Sequence, residues 1–155
     1  MGIADDAVEV RAQGWRTLAA LHGLIDAALE RALQQEHGLS VVEFTVLDAL
    51  SRQDGWHMRM RQLGRAAALS ASATTRLVNR LEERGLLTRV LCQDDRRGIY
   101  TELTAAGEGL LLAARPTHDV TLEAALTAAE GTAELAPLVE ALHEVSAPAA
   151  ARAGA

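Results

Sequence analysis

The stretch from Leu69 to Gly107 constrains the fold more strongly than any other part of the chain. It reads LSASATTRLVNRLEERGLLTRVLCQDDRRGIYTELTAAG. In its first half, apolar residues recur at helical spacing until Gly85, and in its second half two short apolar runs flank the charged sequence DDRRG. We predict a helix that begins at Ser70, followed by strands over 86–91 and 99–103 that form a hairpin.

A shorter helix, predicted over 59–68, precedes the helix that begins at Ser70, and the two must pack closely. Gly64 and the alanines at 66–68 supply the small side chains that a close crossing needs. Helix, turn, helix and hairpin in this order predict a winged helix-turn-helix, whose second helix would lie in the major groove of DNA. The arginine-bearing tip of the hairpin suits the narrower minor groove.

The distribution of charge supports a nucleic-acid partner, although the chain as a whole carries a formal charge of −6. Residues 52–97 contain ten arginines and five acids, so this segment carries +5 and the remainder carries −11. A basic segment between acidic flanks is the electrostatic footprint of localised DNA binding. We expect the acidic flanks to favour solubility and to discourage contact with DNA elsewhere.

The remaining segments predict a mainly helical protein. Aromatic residues make up only 3% of the 155 residues, so the core must be built from Leu, Val and Ala, which favours helices. Helical periodicity predicts a long helix over about 6–36, a second after the capping box Ser40–Glu43, a fifth over about 105–129 and a last over about 132–145. Pro116 should kink or divide the fifth helix.

The expected architecture is therefore six helices with a small two- or three-stranded β wing. We predict a winged helix-turn-helix domain over 37–104, a helical dimerisation region over 1–36 and 105–146, and a disordered tail over 147–155. The first helix is long for a monomer of this size, and we expect it to pack against a second copy of the chain.

The hairpin and the residues after it resemble a known family signature. Asp95 and Arg97 are followed by the five residues GIYTE and then by LTAAG, residues 103–107. The pattern D-x-R, five residues, L-T-x-x-G is similar to the wing of MarR-family transcriptional regulators, and TRLVNRLEERGLL resembles their recognition helix. The resemblance implies a homodimer formed through both termini, which represses transcription by covering a pseudo-palindromic operator.

The chain departs from the family pattern at four positions near the DNA-binding elements. Ala73 and Thr74 stand where Gly and Leu are common, Asn79 replaces a frequent Asp, and Gln93 replaces a frequent Pro before the wing acids. We expect these differences to alter base preference or the stiffness of the wing and to leave the fold intact.

The DNA-contacting residues are expected on the second helix of the pair and at the wing tip. Polar side chains near the start of that helix, and arginine or asparagine one turn later, can reach base edges or phosphates. The candidates on the helix are Ser70, Ser72, Thr74, Thr75, Arg76, Asn79 and Arg80. On the wing the resemblance implies that Arg97, beside Arg96, enters the minor groove and that Asp95 orients it.

A small-molecule effector is a further expectation, because many proteins of the family release DNA on binding a small, often anionic aromatic ligand. The candidate pocket residues are Trp15, Arg16, His22, Phe44 and Trp56. Ordinary packing, with Arg16 on the surface, is the alternative interpretation of this group. For His22 the alternatives are a proton-linked switch at the dimer interface and a hydrogen-bonded core residue.

Other classes of protein find little support in the sequence. The single cysteine, Cys92, excludes an intramolecular disulfide and a multi-cysteine zinc site, and the five histidines lack metal-ligand spacing, so we expect no metal or cofactor. The scattered glycines form no phosphate-binding loop, so we do not expect an enzyme. With neither a signal peptide nor an apolar stretch of membrane-spanning length, we expect a cytoplasmic protein without a membrane partner. An architectural winged-helix protein that binds DNA without an effector remains the alternative.

Overall fold

The structure is a computed structural model that describes residues 3–91 and 98–145. Within these ranges the chain forms helices and short strands in the following order: α1 (Ile3–His37), α2 (Val41–Ser51), β1 (His57–Arg59), α3 (Met60–Ala66), α4 (Ala71–Glu83), β2 (Leu87–Leu91), β3 (Ile99–Leu103), α5 (Ala105–Glu130) and α6 (Ala136–Val145). The mainly helical fold with a small β-sheet that the sequence predicted is confirmed. Residues 92–97, which include all of the predicted wing tip DDRRG except Gly98, and the predicted tail lie outside the described residues.

Local sequence signals set the ends of the helices. Gly38 follows α1 with a φ of +63°, and Gly85 follows the end of α4 with a φ of +72°, a conformation that glycine adopts without steric cost. Before α2, the Ser40 hydroxyl accepts a hydrogen bond from the Glu43 N–H at 3.0 Å, and the Glu43 carboxylate accepts one from the Ser40 N–H at 2.9 Å. This is the capping box expected from the sequence.

The two C-terminal helices differ in detail from the prediction. Helix α5 runs from Ala105 to Glu130 without interruption, so Pro116 does not divide it. Proline removes one main-chain hydrogen bond, and the remaining bonds of the 26-residue helix keep it continuous. Helix α6 begins at Ala136, four residues later than predicted, because Thr132–Leu135 form turns and Pro137 is favoured only in a first helical turn.

The β-sheet has three antiparallel strands in the order β1-β3-β2. Thr101, on the central strand, lies opposite Met58 of β1 on one side and Arg89 of β2 on the other. Its side chain is fully buried, and its hydroxyl donates to the Met58 carbonyl at 3.0 Å. The hairpin is therefore joined to a strand that precedes α3, which ties the wing to the helix-turn-helix.

The chain divides into two compact units. The central unit comprises Glu30–His118 and the terminal unit comprises Met1–Leu29 with Asp119–Ala155. The core of the central unit is built mostly from leucine and valine: Leu33, Leu39, Phe44, Val46, Leu47, Leu50, Leu63, Leu77, Val78, Leu81, Leu87 and Leu111. The terminal unit has a smaller core of its own: Leu21, Ala129, Leu135 and Val139.

The L-T-x-x-G segment connects the wing to the helix before it. The Thr104 hydroxyl donates to the Gly85 carbonyl at 2.7 Å and accepts from the Gly107 N–H at 3.0 Å, so one side chain caps α5 and holds the end of α4. Gly107 lies against the main chain of Leu86, where a Cβ would stand 1.9 Å from the carbonyl oxygen. Only glycine fits at this contact.

Candidate nucleic-acid interface

Helix α4 has one buried face and one exposed face. Leu77, Val78 and Leu81 are at most 2% exposed and pack into the core of the central unit. The opposite face is polar and cationic, and its exposed side chains are those of Ser72, Thr75, Arg76, Asn79 and Arg80. A helix whose outward face carries hydroxyl, amide and guanidinium groups offers the hydrogen-bond donors and acceptors that reading base edges requires.

The N-terminus of α4 is exposed and capped by its own sequence. The Ser70 hydroxyl accepts from the Ala73 N–H at 3.2 Å and lies 3.3 Å from the Ser72 hydroxyl. The Thr75 hydroxyl donates to the Ala71 carbonyl at 3.0 Å. The partial positive charge of this helix end adds to the attraction that the arginines would exert on a phosphate.

Thr74 is the one candidate on this helix that the structure places in the interior. Its side chain is 2% exposed, and its hydroxyl donates to the Ser70 carbonyl at 2.8 Å. A Cβ at Gly64 of α3 would stand 2.8 Å from this hydroxyl, so α3 and α4 approach each other closely at these two residues. The expectation that Thr74 faces DNA is corrected: its side chain packs between the two helices.

Arg80 lies near a buried carboxylate that anchors the C-terminal end of α4. Glu43 is only 7% exposed, and Arg84 donates to it at 3.1 Å and to the Gly38 carbonyl at 3.0 Å. The Arg80 Nε lies 4.0 Å from the same carboxylate, while its side chain remains 60% exposed. Glu43 thus ties α4 to the start of α2 and leaves the Arg80 guanidinium accessible.

Asn79 is engaged by an arginine from the wing. Arg89 of β2 donates one hydrogen bond from Nη1 to Glu82 and another from Nη2 to the Asn79 Oδ1. Both partners lie on α4, three residues apart and therefore on the same face of the helix. The sequence marked Arg89 only as part of the basic segment, because nothing in local spacing indicates a contact between a strand and the preceding helix.

A cavity of about 450 Å³ lies beside α4 in the central unit. Its lining combines cationic side chains from α3 and β2 with apolar ones from α3, the α3–α4 turn and β3: Arg61, Arg65, Arg89, Met60, Leu69 and Ile99. Gly64, Thr74 and Thr75 complete the wall on the side of the helix pair. In the sequence these arginines stand out only as part of the basic segment, because nothing in their spacing places them around a cavity.

The candidate effector residues fall in both units of the chain. In the terminal unit, Trp15 and His22 line a groove on α1 with Leu18 and Ala19, and both are exposed. Because His22 is exposed in this chain, the interpretation of His22 as a hydrogen-bonded core residue does not fit the structure. Arg16 donates to Glu9 at 2.7 Å on the surface.

In the central unit, Phe44 is 5% exposed and stacks on His118, with ring centroids 4.4 Å apart. Trp56 closes the short turn Asp54–Trp56 before β1. Phe44 therefore belongs to the core of the central unit, and Trp56 lies directly before the first strand of the sheet. The assignment of these five residues to one effector pocket stays a prediction.

The wing residues Asp95, Arg96 and Arg97 lie outside the described ranges, and the structure describes the two strands that lead to them. In the same ranges, none of the helices combines the length and apolar character that crossing a bilayer would require.

The fold and the exposed face of α4 define the chain as a winged helix-turn-helix protein.

Part of the chain is similar to known transcriptional regulators. A model of the MarR family matches residues 37–98. The transcriptional regulator MhqR of Bacillus subtilis is 34% identical over 83 residues, which cover 54% of this chain and 56% of that protein. PecS of Dickeya dadantii, also named a transcriptional regulator, is 32% identical over 96 residues, covering 61% of this chain and 57% of PecS. The aligned part spans little more than half the length of these relatives.

Solved structures extend the similarity over most of the chain. AbsC, a MarR family transcriptional regulator from Streptomyces coelicolor, superposes with a TM-score of 0.71 at 29% identity, covering 86% of this chain and 89% of AbsC. Sco3205 from the same organism, solved in complex with DNA, superposes with a TM-score of 0.71 at 25% identity. The match covers 94% of this chain and 88% of the Sco3205 chain. Over most of its length, the chain is therefore similar in fold to MarR-family transcriptional regulators.

Proposed function

We propose that this chain is a transcriptional repressor that binds a pseudo-palindromic DNA operator as a homodimer. The observation that carries the proposal is the exposed face of α4, which presents polar and cationic groups from a helix-turn-helix joined to a wing. The DNA complex of Sco3205, a structural relative, supports it. In this proposal α4 enters the major groove, and the arginines at 96 and 97 reach the adjacent minor groove.

The homodimer is supported by the surface of the terminal unit. Its helices expose large apolar side chains that a monomer would leave in water: Val8, Val10, Trp15, Leu18, Leu24, Val120, Leu142 and Val145. Exposed apolar groups on this scale are typical of an interface between subunits. A dimer with two-fold symmetry would present two α4 helices, which is why the operator should be pseudo-palindromic.

The test is fluorescence anisotropy of the purified full-length protein on duplexes tiled across the DNA that flanks its own gene. Measurements are made near physiological salt with excess competitor DNA. One tile that binds about 10³-fold or more tightly than the others would establish a sequence-specific regulator. Equal and strongly salt-dependent binding to all tiles would indicate the alternative, an architectural DNA-binding protein.

Repression is tested separately from binding. The tile that binds is placed between a promoter and a reporter gene, and the protein is supplied from a second promoter. The proposal expects lower reporter output with the protein than without it, because a bound dimer would exclude the transcription machinery. Higher output would show an activator at the same site.

An effector is the third part of the proposal, and the cavity beside α4 supports it. Arginines next to apolar side chains suit a small anionic aromatic ligand, because the guanidinium groups pair with the anion while the apolar groups cover the ring. The expected result is that an aromatic carboxylate such as salicylate, but not the uncharged amide of the same ring, releases the protein from its operator. Release that does not depend on the ligand's charge would oppose this assignment.

A further inference from the structure

The structure contains a contact between the wing and the recognition helix that determines how one side chain on that helix is oriented. Arg89 extends from β2 to α4, where its guanidinium donates to Glu82 and to Asn79. Its main-chain N–H donates to the second oxygen of Glu82 at 3.3 Å. The side chains of Arg89 and Glu82 are 29% and 36% exposed, so both are partly shielded from water.

The chemistry of this contact leaves Asn79 one orientation. An arginine guanidinium has only N–H donors, so the atom of Asn79 that faces it must be the side-chain carbonyl oxygen. The amide nitrogen is bonded to the same carbon and cannot face Arg89 at the same time. Glu82 keeps the guanidinium in place, because its carboxylate is bonded to both the side chain and the main chain of Arg89.

Asn79 lies among the residues that would read DNA. Ser72, Thr75, Arg76 and Asn79 are spaced by three or four residues and form one exposed row along α4. An asparagine that reads adenine uses its oxygen and its nitrogen together. The bond from Arg89 takes one lone pair of this oxygen and fixes the amide, so the NH₂ group is the end of the side chain that stays free of Arg89.

We infer that Arg89 is a specificity-determining residue, because it fixes the orientation of the Asn79 amide and so favours its NH₂ donor over its oxygen in contacts with DNA. This inference rests on the proposed DNA-binding function. Asn79 then favours a base edge that presents an acceptor, such as guanine O6 or N7 or thymine O4. Arg89 acts through Asn79 and is a positioning residue.

The experiment is selection of bound sequences from a randomised duplex library with the full-length protein, followed by sequencing. The wild type is compared with Asn79→Ala, Arg89→Met and the double variant. Methionine keeps much of the apolar stem of arginine and removes its donors. The base pair that Asn79 contacts is the one at which Asn79→Ala loses its preference, by about 3- to 10-fold for a single hydrogen bond.

At that base pair, Arg89→Met is expected to shift the preference toward adenine, because the Asn79 amide can then turn and present its oxygen and nitrogen together. The double variant should show no shift, since the effect passes through Asn79. Arg31→Met is the matched control: it removes an exposed arginine of α1 and should leave the preference unchanged. An Arg89→Met variant with the wild-type preference, or a shift that persists in the double variant, would overturn the inference.

A second measurement needs only the wild-type protein and remains informative if Arg89→Met does not fold. Base analogues are placed at the contacted pair of the selected site. Removing the acceptor should weaken binding about 3- to 10-fold, whereas removing the exocyclic amino donor should leave the affinity unchanged. Loss of affinity on removing the donor would contradict the inference. A wild-type protein that selects no sequence at all would instead contradict the proposed function.

Discussion

Two glycines in α5 show how differently the same residue type is used. Gly107 is buried against the carbonyl of Leu86, where an added Cβ would stand 1.9 Å from the oxygen. Gly109, two residues later, is exposed, and an added Cβ would meet no atom within 4 Å. The first glycine is therefore required by packing between α5 and the end of α4, and the second is not.

Gly107→Ala should lower the free energy of unfolding by about 3 kcal/mol, because the main chain of Leu86 must move to admit the methyl group. Gly109→Ala is the matched control. It should be neutral or stabilising by up to about 1 kcal/mol, since alanine is the better helix former. Urea unfolding of both variants measures the difference. Equal stabilities would show that the contact between Gly107 and Leu86 is looser than described.

Arg97, on the predicted wing, is expected to contact the minor groove of DNA. Arg97→Ala should weaken operator binding by about 1–3 kcal/mol, because a guanidinium in the minor groove would be lost. Fluorescence anisotropy on the operator measures the change, with Arg11→Ala in α1 as a control for the loss of one positive charge. Wild-type affinity of Arg97→Ala would remove Arg97 from the proposed interface.

The crossing of α3 and α4 depends on one small residue. A Cβ at Gly64 would stand 2.8 Å from the Thr74 hydroxyl and 3.4 Å from the Leu69 carbonyl oxygen. Because Thr74 is buried and bonded to Ser70, its hydroxyl has little space into which to move. The position of the recognition helix therefore depends on this contact between two helices.

Gly64→Ala should lower the free energy of unfolding by about 1–3 kcal/mol. Adding Thr74→Ala removes the hydroxyl that the new methyl group would meet, so the double variant should lose less than the two single variants together. A double-mutant cycle from denaturant unfolding measures this coupling. Strictly additive losses would show that the two side chains do not meet.

Helices α2 and α5 are joined by a partly buried carboxylate within the central unit. Asp48 accepts hydrogen bonds from Arg115 at 3.0 Å and from Arg52 at 2.7 Å. Burial raises the pKa of Asp48, but the hydrogen bonds and charges of Arg52 and Arg115 outweigh it, so the pKa lies below its ordinary value of 3.8. The ionised carboxylate therefore stabilises the folded chain.

Asp48→Asn should lower the free energy of unfolding by about 1–2 kcal/mol at pH 7. A pKa depressed by folding contributes stability above the unfolded value, and this contribution is lost as pH falls through the folded value. The difference between wild type and variant should thus shrink below about pH 4. Urea unfolding from pH 7 to pH 3 measures it, with Glu83→Gln on the exposed face of α4 as a control. A difference that stays constant with pH would contradict the role of the charge.

At the scale of the whole molecule, the proposed homodimer follows from apolar surface on the terminal unit. Leu18 is 45% exposed on α1 and lies in the groove that Trp15 and His22 also line. A charge placed there would have to be buried if a second copy covers this surface, and burying an unpaired charge is costly. We therefore expect a single charged substitution at Leu18 to disrupt the proposed dimer.

Leu18→Glu should convert the dimer to a monomer at micromolar concentration and weaken operator binding by at least about tenfold, because both half-sites must be contacted together. Analytical ultracentrifugation and anisotropy measure the two effects. Val42→Glu, which adds the same charge at a partly exposed position of α2, is the control and should stay dimeric. A monomeric wild type, or a dimeric Leu18→Glu, would place the dimer interface elsewhere.

The sequence by itself determined where α1 and α4 end, where α2 and α4 begin, and that two strands follow α4. Gly38, Ser40, Ser70 and Gly85 act through hydrogen bonds and backbone angles within a few residues of themselves, so their effect can be predicted without knowing the fold. The wing signature is likewise a contiguous pattern.

Only the tertiary structure decided which polar residues of α4 face outward and what holds them. Thr74 is buried because Gly64 of another helix allows close approach, and Asn79 is bonded to Arg89 because a strand returns to pack beside the helix. Strand β1 likewise pairs with β3, which places Met58 opposite Thr101, 43 residues later in the chain. These contacts join residues that are distant along the chain, and local periodicity carries no information about them because chain folding alone brings the partners together.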